Sequence, residues 1–251
     1  MPFALLTVRL LDVLQKPGCP ICRQMRISAE QSMDTFLWEN VNAPDVRRPV
    51  IAAFGFCPEH ARLLVSRELS THGVVLGTNI IYEQLSRRTG ERVATLKPGI
   101  TSWFQNFLNK FGIHRSHPQS SILAARGRCM MCDLAEQAAA NSLNTLFAEL
   151  EKDAADVMAA YQNSDGLCLN HLRDGLECNA RQHSHAAKLL ITWTSDRLAK
   201  QSTAMQEYIR KNNWQYRDEA LTPEEANAWR KSLTFFTGLP DTQFTFKKDD
   251  F

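Results

Sequence analysis

Cys19-Pro-Ile-Cys22 and Cys57-Pro-Glu-His60 recur later in the chain as Cys129-Met-Met-Cys132 and Cys168-Leu-Asn-His171. Corresponding cysteine and histidine positions lie 110 or 111 residues apart. Three thiolates and one imidazole make a complete tetrahedral ligand set for zinc. One such set can arise by chance, whereas two sets in register indicate that a metal-binding unit has been duplicated.

Cysteine usage favours metal binding over disulfide bonding. The chain has 251 residues and 7 cysteines, and Cys178 alone lies outside the repeated motifs. A secreted disulfide scaffold would be smaller and would not keep histidines at fixed distances from its cysteines. We therefore predict reduced, metal-bound thiols and a cytoplasmic protein. The apolar amino-terminal stretch carries Arg9 and Asp12, and no uncharged apolar run reaches about 18 residues, so we expect neither a signal peptide nor a transmembrane segment.

Helical patterns cover most of the chain, and no stretch gives a convincing strand pattern. The sequence Thr222-Pro-Glu-Glu225 is a capping box, which predicts a helix that ends near Gly238. Apolar spacing and stop signals predict the other helices, at residues 5–15, 25–39, 58–71, 77–88, 134–150 and 169–212. We predict an all-α fold built from two pseudo-repeated helical units, each stapled by one Cys3His metal site.

Chain length limits how the four ligands of one copy can meet. Thirty-four residues separate Cys22 from Cys57, and 35 separate Cys132 from Cys168. A straight helix over residues 133–161 would be about 43 Å long, and the few residues that follow it could not bring the chain back. We therefore predict that each insert folds back as a helical hairpin and that each copy binds its own metal ion. In the alternative, the Cys-x-x-Cys pair of one copy combines with the Cys-x-x-His pair of the other.

The ligand sets predict two Zn²⁺ ions per chain, with an iron–sulfur cluster as the alternative. Four protein ligands leave no open coordination position, so the expected zinc is structural and not catalytic. Pro20 and Pro58 suit the first position of a helix, whereas the second copy has Met130 and Leu169 there. The predicted metal ligands are Cys19, Cys22, Cys57, His60, Cys129, Cys132, Cys168 and His171.

The pair Cys-Pro-x-Cys and Gly-Phe-Cys-Pro-x-His-x-x-x-Leu resembles an uncharacterised family of bacterial helical proteins, a domain of unknown function in which this motif is duplicated. The resemblance covers roughly residues 16–200. It implies the eight ligand positions and no activity. The second copy departs from the pattern, since it has Met-Met between its cysteines and Leu-Asn before its histidine.

A basic window separates the two motifs. Residues 84–128 hold eight basic groups and one acid, Glu91, whereas the net charge of the whole chain is only +2. The window is either a solvated linker that pairs with the acidic second half or a contact region for nucleic-acid phosphates. Within it, residues 100–111 predict an amphipathic aromatic helix that packs on the core, or docks on a partner or an anionic membrane surface. The candidate contacts are Arg87, Arg88, Arg92, Lys97, Arg115, Arg126 and Arg128.

No catalytic constellation emerges from the sequence. Cys178 lies near His183, but nothing at a recognisable spacing supplies an orienting acid or oxyanion donors. We predict a first metal-binding unit at 1–88, a basic linker at 89–128, a second unit at 129–238 and a tail at 239–251. The predicted function is that of a non-enzymatic zinc-binding interaction or regulatory protein whose partner is another protein. The alternatives are a redox-responsive or iron–sulfur protein, and a nucleic-acid-binding regulator that uses residues 84–128.

Overall fold

The computed structural model describes residues 2–40, 43–71, 75–96, 120–216 and 218–238. Across these ranges the regular elements are helices, and none is a strand, which confirms the predicted all-α class. The predicted amphipathic segment 100–111 and the tail 239–251 lie outside the described residues.

Ten α-helices occupy the described part of the chain. A π-helical turn, Phe36–Asn40, extends the second of them, and 3-10 turns lie at Ser120–Leu123 and Trp214–Tyr216. In chain order the helices are α1 Pro2–Leu14, α2 Pro20–Thr35, α3 Pro44–Ala52, α4 Pro58–Thr71, α5 Leu76–Ala94, α6 Met130–Glu151, α7 Ala155–Asn163, α8 Leu169–Asn179, α9 Ser184–Lys211 and α10 Pro223–Thr237.

The chain forms two compact units. Unit 1 comprises Met1–Ser28 and Ala135–Phe251, and unit 2 comprises Ala29–Leu134. The chain therefore changes unit inside α2 and again inside α6. This division differs from the predicted ranges 1–88 and 129–238, because both changes occur within continuous helices and not in linkers.

Each unit has its own apolar core. In unit 1, Leu146, Phe147 and Tyr161 are fully buried. Gly175 lets α8 lie close to this core, since a Cβ at that position would be 2.9 Å from Cε2 of Phe147. Because protein cores are close-packed, Phe147 could not move aside to make room for a side chain at position 175.

The core of unit 2 is smaller and lies between α2, α3 and α5. Met33, Val50 and Ile81 are fully buried there. Phe36 meets Phe56 edge to face, with ring centroids 5.4 Å apart, a geometry favoured by aromatic quadrupoles.

The predicted helix over residues 169–212 is interrupted, which corrects the sequence interpretation. α8 ends at Asn179 and α9 begins at Ser184. The carboxylate of Glu151, at the end of α6, accepts a hydrogen bond of 2.9 Å from the N–H of Ala186 in the first turn of α9. His185 Nε2 lies 2.8 Å from Asp153 Oδ1. The Glu151 carboxylate thus stabilises the start of α9. Because Glu151 is 35 positions away from Ala186, the break could not be recognised from neighbouring residues.

Helix α10 follows its sequence prediction closely. The Thr222 hydroxyl accepts from the N–H of Glu225 at 3.2 Å, and the Glu225 carboxylate accepts from the N–H of Thr222 at 2.9 Å. Lys211 Nζ, on α9, lies 2.9 and 2.8 Å from the two carboxylate oxygens of Glu225. The Lys211 hydrogen bond lowers the pKa of Glu225, so the pair keeps its charges to lower pH than an isolated glutamate would. The predicted capping box is therefore confirmed and also ties α10 to α9.

Replacing Thr222 by Ala should lower the free energy of unfolding by about 1 kcal/mol, because the helix start loses a side-chain cap. Urea denaturation followed by circular dichroism measures this change. Thr203→Ala is the matched control, since the Thr203 hydroxyl only donates within α9 to the Ala199 carbonyl at 3.1 Å. Equal stability of the Thr222→Ala and Thr203→Ala variants would contradict a stabilising cap.

Candidate metal centres

The eight predicted ligands gather in two clusters, but not in the predicted combination. In each cluster one ligand atom from each of four residues lies within 4.8 Å of the others. Site 1 consists of Cys19, Cys22, Cys168 and His171, and site 2 consists of Cys57, His60, Cys129 and Cys132. The Cys-x-x-Cys pair of each copy thus combines with the Cys-x-x-His pair of the other. Our prediction that each copy binds its own metal was wrong, and the exchanged alternative is the one observed.

Helix continuity explains the exchange. α6 starts at the second Cys-x-x-Cys pair and runs for 22 residues, which corresponds to a rise of about 33 Å. The first turn signal comes only at Lys152–Ala154, where Asp153 has a φ of 54°. The insert does fold back at this turn, as predicted. The 9-residue α7 that follows rises only about 14 Å, however, so it cannot bring Cys168 back to Cys132, and Cys168 meets the first copy's cysteines instead.

Site 1 lies within unit 1 and is well buried. Nδ1 of His171 is 3.5 Å from Cys19 Sγ, 3.3 Å from Cys22 Sγ and 3.2 Å from Cys168 Sγ. The two half-motifs meet directly, with 3.8 Å between the sulfurs of Cys22 and Cys168. Cys19 and Cys168 are each only 2% exposed. All four ligand atoms could therefore bind one ion, at a position with little exposure to solvent.

Site 2 lies within unit 2 and repeats this geometry. Nδ1 of His60 is 3.2 Å from Cys57 Sγ, 3.7 Å from Cys129 Sγ and 3.4 Å from Cys132 Sγ. The sulfurs of Cys57 and Cys132 are 3.7 Å apart. Cys57 and Cys132 are half-buried, so this site is the more accessible of the two.

Every ligand pair stands at the start of a helix. α2, α4, α6 and α8 each begin at the residue that follows a cysteine ligand, and the second ligand comes two residues later. Each site is thus built from two helix amino termini, whose partial positive charge stabilises a nearby anionic group by about 0.3–1 kcal/mol each. Because the copies exchange partners, each site also receives one of the two prolines, Pro20 or Pro58, at its helix starts.

A glycine precedes the Cys-x-x-His pair in both copies. Gly55 and Gly166 have φ values of 96° and 76°, in the left-handed region that side chains rarely adopt. A Cβ on Gly166 would also lie 2.0 Å from the Arg197 guanidinium. The repeated Gly-x-Cys sequence therefore encodes the sharp turn that leads into the ligand helix.

Three further residues support site 1, and the sequence did not indicate this role for any of them. The Asp165 carboxylate accepts a hydrogen bond of 2.6 Å from the N–H of Gly18, which joins the two half-motifs beside the ligands. The Tyr161 hydroxyl accepts one of 3.3 Å from the N–H of Leu167. Gly238, just past α10, is so close that a Cβ there would lie 2.7 Å from Cys22 Sγ. Asp165 and Tyr161 have no sequence signal, and Gly238 is recognisable only as a helix stop.

Close packing of the ligand groups separates their pKa values. In site 1, hydrogen bonds with Cys168 and Cys19 raise the pKa of Cys22, while hydrogen bonds from Cys19 and Cys22 lower that of Cys168. Burial alone would lower the pKa of His171, but the Cys168 and Cys19 sulfurs raise it to about 10. In site 2, burial and the Cys57 sulfur raise the pKa of Cys132 to about 12. The raised pKa values favour the protonated thiols of Cys22 and Cys132, and a metal ion that binds all the thiolates must displace these protons.

The basic window contributes several arginines that already have partners. Arg87 lies 3.3 Å from both Glu83 and Glu91, and Arg128 lies 3.5 Å from Asp133. Arg92 donates to the Ile122 carbonyl at 3.5 Å and stacks 5.5 Å above the Phe54 ring. Arg88 is exposed and Arg126 uses its backbone N–H to bond Ala52. Lys97 and Arg115 lie outside the described residues.

Within the described ranges, no helix is both long enough and apolar enough to cross a membrane.

Replacing Gly238 by Ala should weaken metal binding at site 1, because the new methyl group would overlap Cys22 Sγ and strain a residue with a φ of 74°. We expect the variant to lose up to one ion per chain on dialysis against a mild chelator, as measured by plasma mass spectrometry. Gly90→Ala is the control, since nothing lies within 4 Å of a Cβ there. Wild-type metal retention by Gly238→Ala would contradict the described contact.

Comparison with known proteins supports the resemblance that the motifs suggested. The model of the family of unknown function DUF6062 matches residues 1–243, a range that contains both clusters. The searches of curated proteins and of solved structures found no match. With almost its whole length matched, the chain belongs to the family of unknown function DUF6062.

Proposed function

We propose that this chain is a non-enzymatic protein in which two structural zinc ions, one in each Cys3His site, hold the helices of an interaction or regulatory module. The observation that carries the proposal is the spacing of the ligand atoms. Tetrahedral zinc with Zn–S bonds of about 2.3 Å and Zn–N bonds of about 2.0–2.1 Å separates sulfurs by about 3.8 Å and sulfur from nitrogen by about 3.6 Å. One sulfur pair in each site, at 3.8 and 3.7 Å, and the sulfur–nitrogen pairs at 3.2–3.7 Å fit these values.

The closed ligand set supports a structural role for the ion. Each site offers three thiolates and one imidazole, which fill the coordination sphere and leave no position for substrate or catalytic water. Such an ion contributes its binding free energy to folding. The six thiol ligands must stay reduced, which favours a reducing compartment such as the cytoplasm.

Ligand spacing also argues against the iron–sulfur alternative. A multi-iron cluster distributes its four protein ligands over two or more iron atoms and places inorganic sulfide between those atoms. Ligand atoms that all lie within 4.8 Å of one another leave room for one ion and none for a cluster. Oxidation of the thiolates stays a prediction for the redox-responsive alternative.

The described surface offers apolar side chains for a protein partner. In unit 2, Leu69 on α4 and Leu76 on α5 are 77% and 63% exposed. In unit 1, Ile209 and Trp214 near the end of α9 are 70% and 78% exposed. Aromatic and large apolar residues of this kind are enriched in protein interfaces. The paired state of Arg87, Arg92 and Arg128 gives less support to phosphate contact through residues 84–128.

Purified protein should contain two zinc ions per chain and be colourless. Plasma mass spectrometry gives the stoichiometry, and replacement by Co²⁺ should produce the visible absorption of a tetrahedral thiolate complex. Cys57→Ser and Cys168→Ser should each lower the content by about one ion, because each removes a ligand from a different site. Cys178→Ser is the control and should keep both ions. A brown sample with inorganic sulfide would contradict the zinc proposal.

Stripping the metal with a strong chelator should lower the melting temperature and the helical circular dichroism signal, since the ligand residues then lose their common partner. Adding back one equivalent of zinc per site should restore both. Unchanged melting after complete metal removal would show that the ions do not stabilise the fold.

A further inference from the structure

The carboxyl end of α10 forms one wall of site 1. Gly238 is buried, has left-handed backbone angles (φ 74°, ψ 0°), and donates its N–H to the Thr234 carbonyl at 2.8 Å. A Cβ at this position would lie 2.7 Å from Cys22 Sγ and 3.4 Å from Cys168 Sγ. The Gly238 backbone therefore lies beside sulfurs from both half-motifs of the site, with no room for a side chain between them.

Little apolar surface holds α10 in unit 1. Its buried residues are Glu225, Ala228 and Thr234, and among the described residues the apolar core of this unit includes no side chain of α10. The buried Thr234 hydroxyl has no hydrogen-bond partner there, which opposes docking. The helix also lies along α9, and its two ends make the specific contacts that follow.

The two ends of α10 are held in different ways. Its start is tied to α9 by the ion pair between Lys211 and Glu225, at 2.8 Å. Its end rests on the Cys22 and Cys168 sulfurs. An ion bound by both sulfurs would hold them at the separation that tetrahedral coordination sets.

We propose that α10 is the cover of site 1 and that its docking is energetically coupled to the metal ion in that site. Binding of the ion fixes the surface on which Gly238 rests, and the docked helix in turn shields the ion. Such coupling is reciprocal, so loss of the ion releases α10 and undocking of α10 weakens metal binding. The inference rests on the proposed function, since it requires a metal ion in site 1.

The contacts of site 2 differ. The glycines next to its ligand pairs, Gly55 and Gly127, face Tyr82 and Ala52, and its ligands Cys57 and Cys132 are half-buried. The coupling therefore belongs to site 1 alone, and a chelator should remove the ion of site 2 first. Loss of metal from site 1 is then the event that changes the accessibility of α10.

Hydrogen exchange of the full-length, zinc-loaded chain tests the coupling. Cys168→Ser removes a ligand of site 1, and Cys57→Ser, its matched control, removes one of site 2. We expect amides of residues 223–238 to exchange at least about tenfold faster in Cys168→Ser than in the wild type, and at the wild-type rate in Cys57→Ser. Equal protection of α10 in all three proteins, or equal loss in both variants, would overturn the proposal.

Two further measurements keep the outcome clear. Metal content is determined first. A wild-type chain without metal would overturn the proposed function itself. If the wild type holds two ions and α10 is still protected in Cys168→Ser, only the coupling is overturned. If Cys168→Ser fails to fold, Gly238→Ala makes the same comparison with every ligand in place. Faster exchange over 223–238 together with loss of the site 1 ion supports the coupling, and faster exchange with wild-type metal retention contradicts it, as does wild-type exchange with wild-type metal retention.

Discussion

The structure depends on one geometric constraint, which is that four ligand atoms from distant parts of the chain lie within 4.8 Å of one another in each cluster. The chain meets this constraint twice, and both times with ligands distant in sequence: Cys22 and Cys168 are 146 positions apart, and Cys57 and Cys132 are 75 apart. The loop closed by site 2 lies wholly inside the loop closed by site 1. This nested arrangement makes unit 2 continuous in sequence and unit 1 discontinuous. The cost of closing a loop grows only slowly with its length, so a strongly bound ion can hold even the longer loop.

Exchange of partners also changes what the duplication means. If each copy bound its own metal, the two sites could form independently of each other. Exchange makes each site need residues from both copies, so neither copy can form a complete site without the other. The helix starts and prolines are then shared evenly, and both sites combine two positively polarised helix ends with thiolate charge. The coupling proposed for α10 adds a difference between the sites that the duplicated motif does not contain.

Local features of the fold and site were predictable from the sequence. The ligand residues, the helix beginning at Pro58, and the capping box at Thr222 depend on spacing and on contacts within one helical turn. The pairing of Cys22 with Cys168 was not predictable. With a turn in each insert, the number of residues between the half-motifs allows pairing within one copy as well as exchange between the copies. The break before α9 depends on Glu151, and the wall of site 1 depends on Gly238. Both contacts join segments far apart in sequence, which periodicity cannot detect.

The most direct test of the exchanged pairing is the metal content of two double variants. Cys19→Ser with Cys168→Ser removes two ligands of site 1, and Cys19→Ser with Cys57→Ser removes one ligand from each site. The exchanged structure predicts that the first variant keeps about one ion per chain and that the second keeps none. If the first variant keeps none and the second keeps one, each copy binds its own metal, and the nested architecture is contradicted.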